Sequence, residues 1–406
     1  MSLPSSSAGR RRSGRIRVGV VTTSFPILSG SSSGIFVERL LSHLPAEAAA
    51  TVLVPCCDRE VGQGVKAPYE LRCFRYAPRT WQRLAHVPGG IPDAIRRQDP
   101  VILLIPFFLS ALYLGCLRLA SRVDVIHGNW SIPAIVAALA ARPMGIPSIA
   151  TLRGEDVTRV ESSILFRWLL GLCLRINQAV VVVSEAMRKR LVQRFPWAAD
   201  RIIFIPNGVE LGADRERRDL HQPLRLLSVG SLIARKRLDT LVHAIALLPS
   251  DVGITLRLVG DGPQAGALVE LAQRLDVFAH VELIGAVPPQ EIQAHLDWAD
   301  IFLFASESEG RPNAVLEAMA AGLPVVATDI PGVRELVGAK TGLRVPVGDA
   351  RAFADAILRL AGNAQAVRAM GCAGRSAIID AGPTWSAAGR RYAQLYSNVL
   401  ETARVP

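Results

Sequence analysis

The stretch "SESEGRPNAVLEAMAAGLPVVATD" (residues 306–329) follows an apolar run, "DIFLFA" (300–305), and decides how the chain folds. The run before it has the length and composition of a buried strand, and "PVVATD" (324–329) reads as a second one. Between them, Pro312 suits the first turn of a helix, where its missing N–H costs nothing. Gly322 suits a left-handed C-terminal cap, with Pro324 just beyond. The spacing predicts a helix over 312–321 joining two parallel strands. Its first free N–H groups, at Asn313, Ala314 and Val315, can hold a phosphate. Two acids, Glu309 and Glu317, stand on either side of that seat. An acid beside a phosphate repels it, so the pair makes chemical sense if each accepts hydrogen bonds from sugar hydroxyls at the two ends of a diphosphate. A capping acid plus a surface acid is the plainer reading of the same two residues.

Working outward, both halves of the chain alternate short β-branched runs with helix-period stretches, the pattern of parallel α/β sheets. Strands are expected near 16–23, 50–56, 70–76, 123–128, 146–152, 178–184 and 201–206. After the polar stretch "ELGADRERRDLHQP" (210–223) a second series follows: "LRLLSVGS", "ITLRLVG", "AHVELIGA", "DIFLFAS" and "PVVATD". The expected division is a basic tail (1–15), a first α/β domain (16–212), a linker (213–223), a second α/β domain (224–384) and a terminal amphipathic helix (385–406). Ligands of such sheets bind beyond the carboxyl ends of the strands, so the informative residues are those that follow strands.

With 406 residues, half of them apolar, the chain can fill two cores. Its net charge of +11 is uneven: residues 1–212 hold 26 Lys/Arg and 14 Asp/Glu (+12), and residues 213–406 hold 20 and 21 (−1). A basic first half suits an anionic partner such as a membrane surface, although an Arg-rich solvated surface gives the same balance. Aromatic residues are 6% of the chain and do not interleave with basic ones, so nucleic acid is not an expected partner. Six cysteines show no Cys-x-x-Cys spacing, which indicates neither a zinc site nor a disulfide framework and favours a reducing, cytoplasmic compartment. The Ser- and Arg-rich start (1–17) lacks an apolar core and reads as a tail rather than a signal peptide.

The run "VILLIPFFLSALYLGCL" (101–117) carries no charge. A spanning helix needs about 20 residues, and strand-like segments on both sides would then lie on opposite faces of a bilayer. A buried helix and a membrane-dipping helix, flanked by Arg96, Arg97, Arg118 and Arg122, are the two readings left.

Other residues add to the picture. Lys236 and Arg235, in "VGSLIARKRLDTL", follow the first strand of the second half and can neutralise a diphosphate from the side opposite the 312–321 helix. No Asp-x-Asp occurs, so a metal-bridged diphosphate has no evident ligand set and no cofactor is expected. "GDGPQA" (260–265) mimics a dinucleotide fingerprint, but it follows the second strand and Pro263 interrupts it. Gly260 is read instead as part of a tight turn near a nucleobase. His127, at a strand end, is either structural or catalytic. Ser184 lacks the context of a hydrolase nucleophile.

The ordered set "VVVSEAMRKRL", "IIFIPNGVE", "VGSLIARKRLDTLVHA", "LRLVGDGP", "VELIGAVP" and "DIFLFASESEGRPNAVLEAMAAGLPVVATDIPGVRELV" resembles the retaining glycosyltransferases of family 4, which carry a Glu-x7-Glu signature. The resemblance covers nearly the whole chain, and "DVIHGNW" and "PSIATLRGEDV" are similar to members that build bacterial surface polysaccharides. It implies a GT-B fold: two Rossmann-like domains facing across a cleft, the terminal helix crossing back to the first. It implies a UDP- or GDP-linked sugar as donor and a glycan or lipid-linked acceptor. Glu309 would hold donor-sugar hydroxyls, Glu317 the ribose, Lys236 the diphosphate, and the Asn313–Ala314–Val315 amides the same phosphates. Gly34 would let backbone approach the donor. Arg153 stands where many members have a histidine near the reaction centre, and Ser231 where many have an arginine beside the lysine; Arg235 is then the substitute cation. A GT-B-fold nucleotide-sugar epimerase and a non-catalytic, membrane-surface partner subunit share these features and are told apart by acceptor-dependent turnover.

Overall fold

The computed structural model describes residues 14–26, 34–56, 67–82, 84–85, 91, 99–158, 160, 163–212 and 220–403. Most of the expected basic tail and of the expected linker lies outside these residues.

Seven strands form the first sheet: β1 (Ile16–Val21), β2 (Ala48–Pro55), β3 (Tyr69–Phe74), β4 (Val125–Asn129), β5 (Ser148–Leu152), β6 (Ala179–Val182) and β7 (Ile202–Phe204). Their order is β3-β2-β1-β4-β5-β6-β7, every pair parallel. Six form the second: β8 (Leu224–Val229), β9 (Ile254–Val259), β10 (Val281–Gly285), β11 (Ile301–Phe304), β12 (Val325–Thr328) and β13 (Gly342–Val345), ordered β10-β9-β8-β11-β12-β13. The last of these was not expected: "GLRV" is short, and only two of its four residues are buried. Central strands such as β6 ("AVVV") and β11 ("IFLF") are buried throughout, as strands covered by helices on both faces must be.

Each order reverses direction once, between β1 and β4 in the first sheet and between β8 and β11 in the second. Crossovers leave the sheet on opposite sides there, and a crevice opens at the carboxyl ends of the strands. The architecture is GT-B: two parallel-sheet, Rossmann-like α/β domains.

The apolar run forms a 3₁₀ turn, Pro100–Leu104, continuing into the helix Ile105–Ala120. By length and composition Pro100–Ala120 could cross a membrane. It does not do so in this fold, because the strands before and after it hydrogen-bond within one sheet, β1 pairing directly with β4. One face, including Phe108, Leu112, Cys116 and Leu119, enters the core, while Leu103, Phe107 and Leu114 face outward. Arg118 and Arg122 are exposed at its far end, and Arg96 and Arg97 lie outside the described residues.

One expectation is overturned. Cys56, just past β2, and Cys73, in β3, form a disulfide across neighbouring strands. The two are 17 residues apart in sequence, and only the parallel pairing of β2 with β3 brings their Cα atoms to 4.9 Å. Cysteine usage therefore no longer argues for a reducing compartment.

The terminal helix, Trp385–Thr402, is capped by the Thr384 hydroxyl and packs Trp385, Tyr392, Leu395 and Tyr396 into the first domain's core. Its two tyrosines reach the strand ends. Tyr396 Oη lies 2.8 Å from His127 Nδ1, and Thr151 Oγ1 lies 2.7 Å from His127 Nε2 and 3.1 Å from Tyr392 Oη. With both ring nitrogens engaged and 1% of its surface exposed, His127 holds the helix to the sheet. Burial, then the nearby Arg153 cation, pushes its pKa down to about 3. The unfolded chain, with an imidazole pKa near 6.5, binds the extra proton between these values. Stability from this site is thus fully present above about pH 6.5 and falls by up to about 1.4 kcal/mol per unit as pH drops toward 3. Urea unfolding at pH 7 and pH 5 should show His127→Gln losing less stability than the parent over that interval. Equal losses would mean the imidazole is not held neutral.

Candidate active site

The second sheet's switch point holds most of the predicted residues. A small pocket there is lined by Gly230, Ser231 and Lys236 after β8, and by Phe304, Ala305 and Ser306 at the end of β11. Gly260, at the end of β9, packs beneath it: a Cβ at this position would sit 2.0 Å from Gly230 O, so the backbones touch only because residue 260 is glycine.

Lys236 lies in the 3₁₀ turn Ala234–Lys236, and its Nζ stands 2.7 Å from Glu309 Oε1 and 5.1 Å from the Phe304 ring centroid. Arg235 Nη1 is 2.9 Å from the same oxygen, and Ser306 Oγ donates to it at 3.0 Å. Arg235 thus joins Lys236 despite its different sequence spacing, while Ser231 lines the pocket. Burial alone would raise the Glu309 carboxyl, but the two cations and their hydrogen bonds outweigh it and hold Glu309 below the usual carboxylate range. The centre is an ionised acid clamped by two cations, with one positive charge in excess.

The helix after this loop runs Asn313–Ala320, one residue shorter at each end than expected. Pro312 is its N-cap rather than its first helical residue, and no side chain caps it, so the amides of Asn313, Ala314 and Val315 face the switch point. Gly322 takes the left-handed conformation expected of it, φ 72°.

Asn313 and Glu317 lie one turn apart and share a face of this helix. That face meets the first domain. Asn207 Nδ2 donates to Asn313 Oδ1 at 3.0 Å, and Arg39 Nη1 donates to Glu317 Oε1 at 2.7 Å. Burial raises the Glu317 carboxyl, and Arg39 offsets this in part. Arg39 comes from the helix Ile35–Ser42, whose N-cap is Gly34 at φ 72°. A Cβ on Gly34 would stand 2.1 Å from Ser24 O, so this turn requires glycine.

Arg153 follows β5. Its guanidinium donates to Asn207 Oδ1 at 2.7 Å and Asn129 Oδ1 at 2.8 Å, and lies 4.6 Å from the centre of the Phe36 ring. Its backbone abuts the Glu309 loop: a Cβ on Gly310 would be 2.4 Å from Arg153 O. A further interdomain contact places Glu335 on the amides of Glu185 and Ala186, at the start of the helix Glu185–Arg194.

The structure therefore gathers Lys236, Arg235, Glu309, the Asn313 amide cluster, Glu317 and Arg153 around one cleft. Sequence reading gave no individual role to Arg39, Asn129 or Asn207. Asn207 lies within "IPNGVE" and Asn129 within "DVIHGNW", so both were inside marked motifs. Arg39 had no local signal, because its partner is 278 residues away.

Such a site, a cation pair and a helix N-terminus at one switch point facing a second α/β domain, belongs to the GT-B architecture described above, and comparison with known proteins adds a likeness in both halves. Residues 34–212 match the family model described as Glycosyltransferase Family 4, and residues 223–363 match that described as Glycosyl transferases group 1. The chain is 37% identical over 198 residues to the amylovoran biosynthesis glycosyltransferase AmsK of Erwinia amylovora, an alignment spanning 45% of this chain and 47% of AmsK. It is 33% identical over 245 residues to a GDP-mannose-dependent alpha-(1-6)-phosphatidylinositol monomannoside mannosyltransferase of Mycolicibacterium smegmatis, spanning 55% of this chain and 64% of that one. The chain thus spans about half to two thirds of the length of these curated relatives. Among solved structures, Anabaena HepE in complex with UDP superposes with a TM-score of 0.70 at 17% identity, over 94% of this chain and 100% of HepE, a likeness of fold. The protein carries glycosyltransferase domains in both halves.

Proposed function

We propose that the protein moves a sugar from a nucleoside diphosphate sugar to an acceptor hydroxyl with retention at the anomeric carbon, in surface-polysaccharide or lipid-linked glycan synthesis. The observation that carries this reading is the convergence of Lys236, Arg235 and the uncapped Asn313–Ala320 helix on one switch point. A departing diphosphate gains negative charge as the C1–O bond breaks, and these groups stabilise it without a metal. The acceptor oxygen bonds to C1, and its proton passes to the leaving phosphate oxygen, the nearest base. Glu309 orients the sugar, and Glu317 takes the ribose. The HepE complex with UDP supports a nucleotide donor, and AmsK, named for a polysaccharide, supports the pathway class. The test is thermal unfolding with a panel of nucleoside diphosphates. One at a hundred times its dissociation constant should add about 2.7 kcal/mol. If no nucleotide stabilises the protein, the reading fails. Acceptor-independent isomerisation of the donor would favour the epimerase.

The reading includes peripheral attachment to an anionic membrane surface. Crossover helices run back against their strands, so their first turns lie at the cleft edge of the first sheet. There Leu103 and Phe107 are 74% and 64% exposed, and Ile164, Leu165 and Trp168, opening the helix Ile164–Ile176, are 80%, 63% and 64% exposed. Apolar side chains beside a cleft, in the half of the chain (1–212) that carries net +12, give the two signals that peripheral binding needs. Co-sedimentation with anionic liposomes is expected at low salt, weakening as salt screens the charges. Phe107→Ser with Trp168→Ser should reduce it severalfold. No binding at low salt would refute the attachment.

A further inference from the structure

Arg153 has a set of partners unusual for an enclosed cation. Its contacts are Asn207, Asn129 and the Phe36 ring, all neutral, and among the described residues no carboxylate pairs with it. Buried charges are ordinarily paired with an opposite charge. Two enclosed groups beside it lack any hydrogen-bond partner: Arg153 Nε and Asn129 Nδ2, the latter on a side chain only 1% exposed. Both are donors only. The missing partner is therefore an acceptor, and the uncompensated guanidinium calls for a negative one.

The position narrows what that partner is. Phe36 follows β1, Asn129 ends β4 and Arg153 follows β5, so the three surround the first sheet's switch point, where that domain takes its ligand. The guanidinium donates to Asn207, whose own amide donates to Asn313 at the start of the helix across the cleft, so the cation stands between this crevice and the second domain. The diphosphate already has Lys236, Arg235 and the Asn313 amides across the cleft.

We propose that Arg153, with Asn129, receives a carboxylate or phosphate carried by a substrate sugar or its acceptor, so that the protein selects acidic glycan substrates. This rests on the glycosyl-transfer reading above. The chemistry is shared by two sources, an acidic donor sugar such as a hexuronate and an acceptor bearing an acid group, and the experiment separates them.

The full chain is titrated calorimetrically with UDP and GDP, then with UDP-glucose against UDP-glucuronate and GDP-mannose against GDP-mannuronate. Saturation-transfer NMR follows methyl glucuronide, glycerol 1-phosphate and methyl glucoside with and without nucleotide. Arg153→Met and the charge-preserving Arg153→Lys are compared, with near-ultraviolet circular dichroism confirming their fold. An acidic donor binding about tenfold or more tightly than its neutral match, with the preference lost in Arg153→Met and partly restored in Arg153→Lys, identifies the donor as the source. Preference for the acidic soluble probe, lost in the same way, identifies the acceptor. Either outcome requires UDP or GDP affinity to change by no more than about twofold in Arg153→Met, well below the tenfold of one charge-assisted bond. If Arg153→Met weakens the free nucleotide as much as the acidic ligand, the cation serves the diphosphate and the proposal is overturned. It is equally overturned if the parent protein shows no acid preference in either arm. Failure of all nucleotides to bind would refute the glycosyl-transfer reading, while the soluble acid probes would still decide for or against the Arg153 seat.

Discussion

Glu309→Ala is expected to lower donor turnover by about a hundredfold or more while leaving affinity for free nucleoside diphosphate intact or slightly higher. The asymmetry follows from the clamp. Lys236, Arg235 and Ser306 all converge on Glu309 Oε1, and the acid stays ionised because the cations outweigh the effect of its burial. Removing the carboxylate deletes the group that orients the moving sugar, an interaction that matters at the transition state. It also releases two cations that then face the diphosphate alone. Lys236→Ala should depress both quantities, since the phosphates are bound in the ground state and gain charge as they leave. Single-turnover rates with a matched donor, beside calorimetric titration of the nucleotide, check the pattern. A Glu309→Ala variant that keeps full turnover would reduce the clamp to a structural ion cluster.

Glu317→Ala should do the reverse, weakening free nucleoside diphosphate by about 1.5–3 kcal/mol, roughly ten- to a hundredfold, with the same loss carried into KM. Ribose hydroxyls are held equally before and during reaction, so this loss does not concentrate in turnover. The structure adds Arg39 to the prediction. Glu317 is buried, which favours its neutral form, and the 2.7 Å contact with Arg39 helps keep it charged. Arg39→Ala leaves the carboxylate facing burial and the nearby Glu210 charge, so its pKa rises further. As pH is lowered, nucleotide affinity in that variant should therefore begin to fall at a higher pH than in the parent. Titrations of both proteins across a pH series decide. A flat Arg39→Ala profile would show that Arg39 is not what keeps Glu317 ionised.

Much of this site was legible in sequence because each part obeys a local rule. Pro312 and Gly322 punctuate a helix whatever surrounds it, so its bounds could be placed to within a residue at each end. Lys236 and Arg235 follow a strand, and in parallel sheets the ends of strands are where ligands bind. Alternation of apolar strands and amphipathic helices disclosed two α/β domains, and the strands on either side of the uncharged 101–117 run argued against its spanning a membrane.

Other features were invisible for a common reason: they depend on which distant segments become neighbours. The Cys56–Cys73 bond needed β2 beside β3. His127 became a structural residue only when the terminal helix brought Tyr396 to its ring, across 269 positions. Arg39 met Glu317 only when the domains faced one another. The sequence by itself determined the elements, their punctuation and the chemical identity of the clamp, because propensity, capping and charge act over a few residues. Tertiary structure alone decided which acid meets which cation and which buried donor is left without an acceptor, because pairing and desolvation are set by neighbours in space.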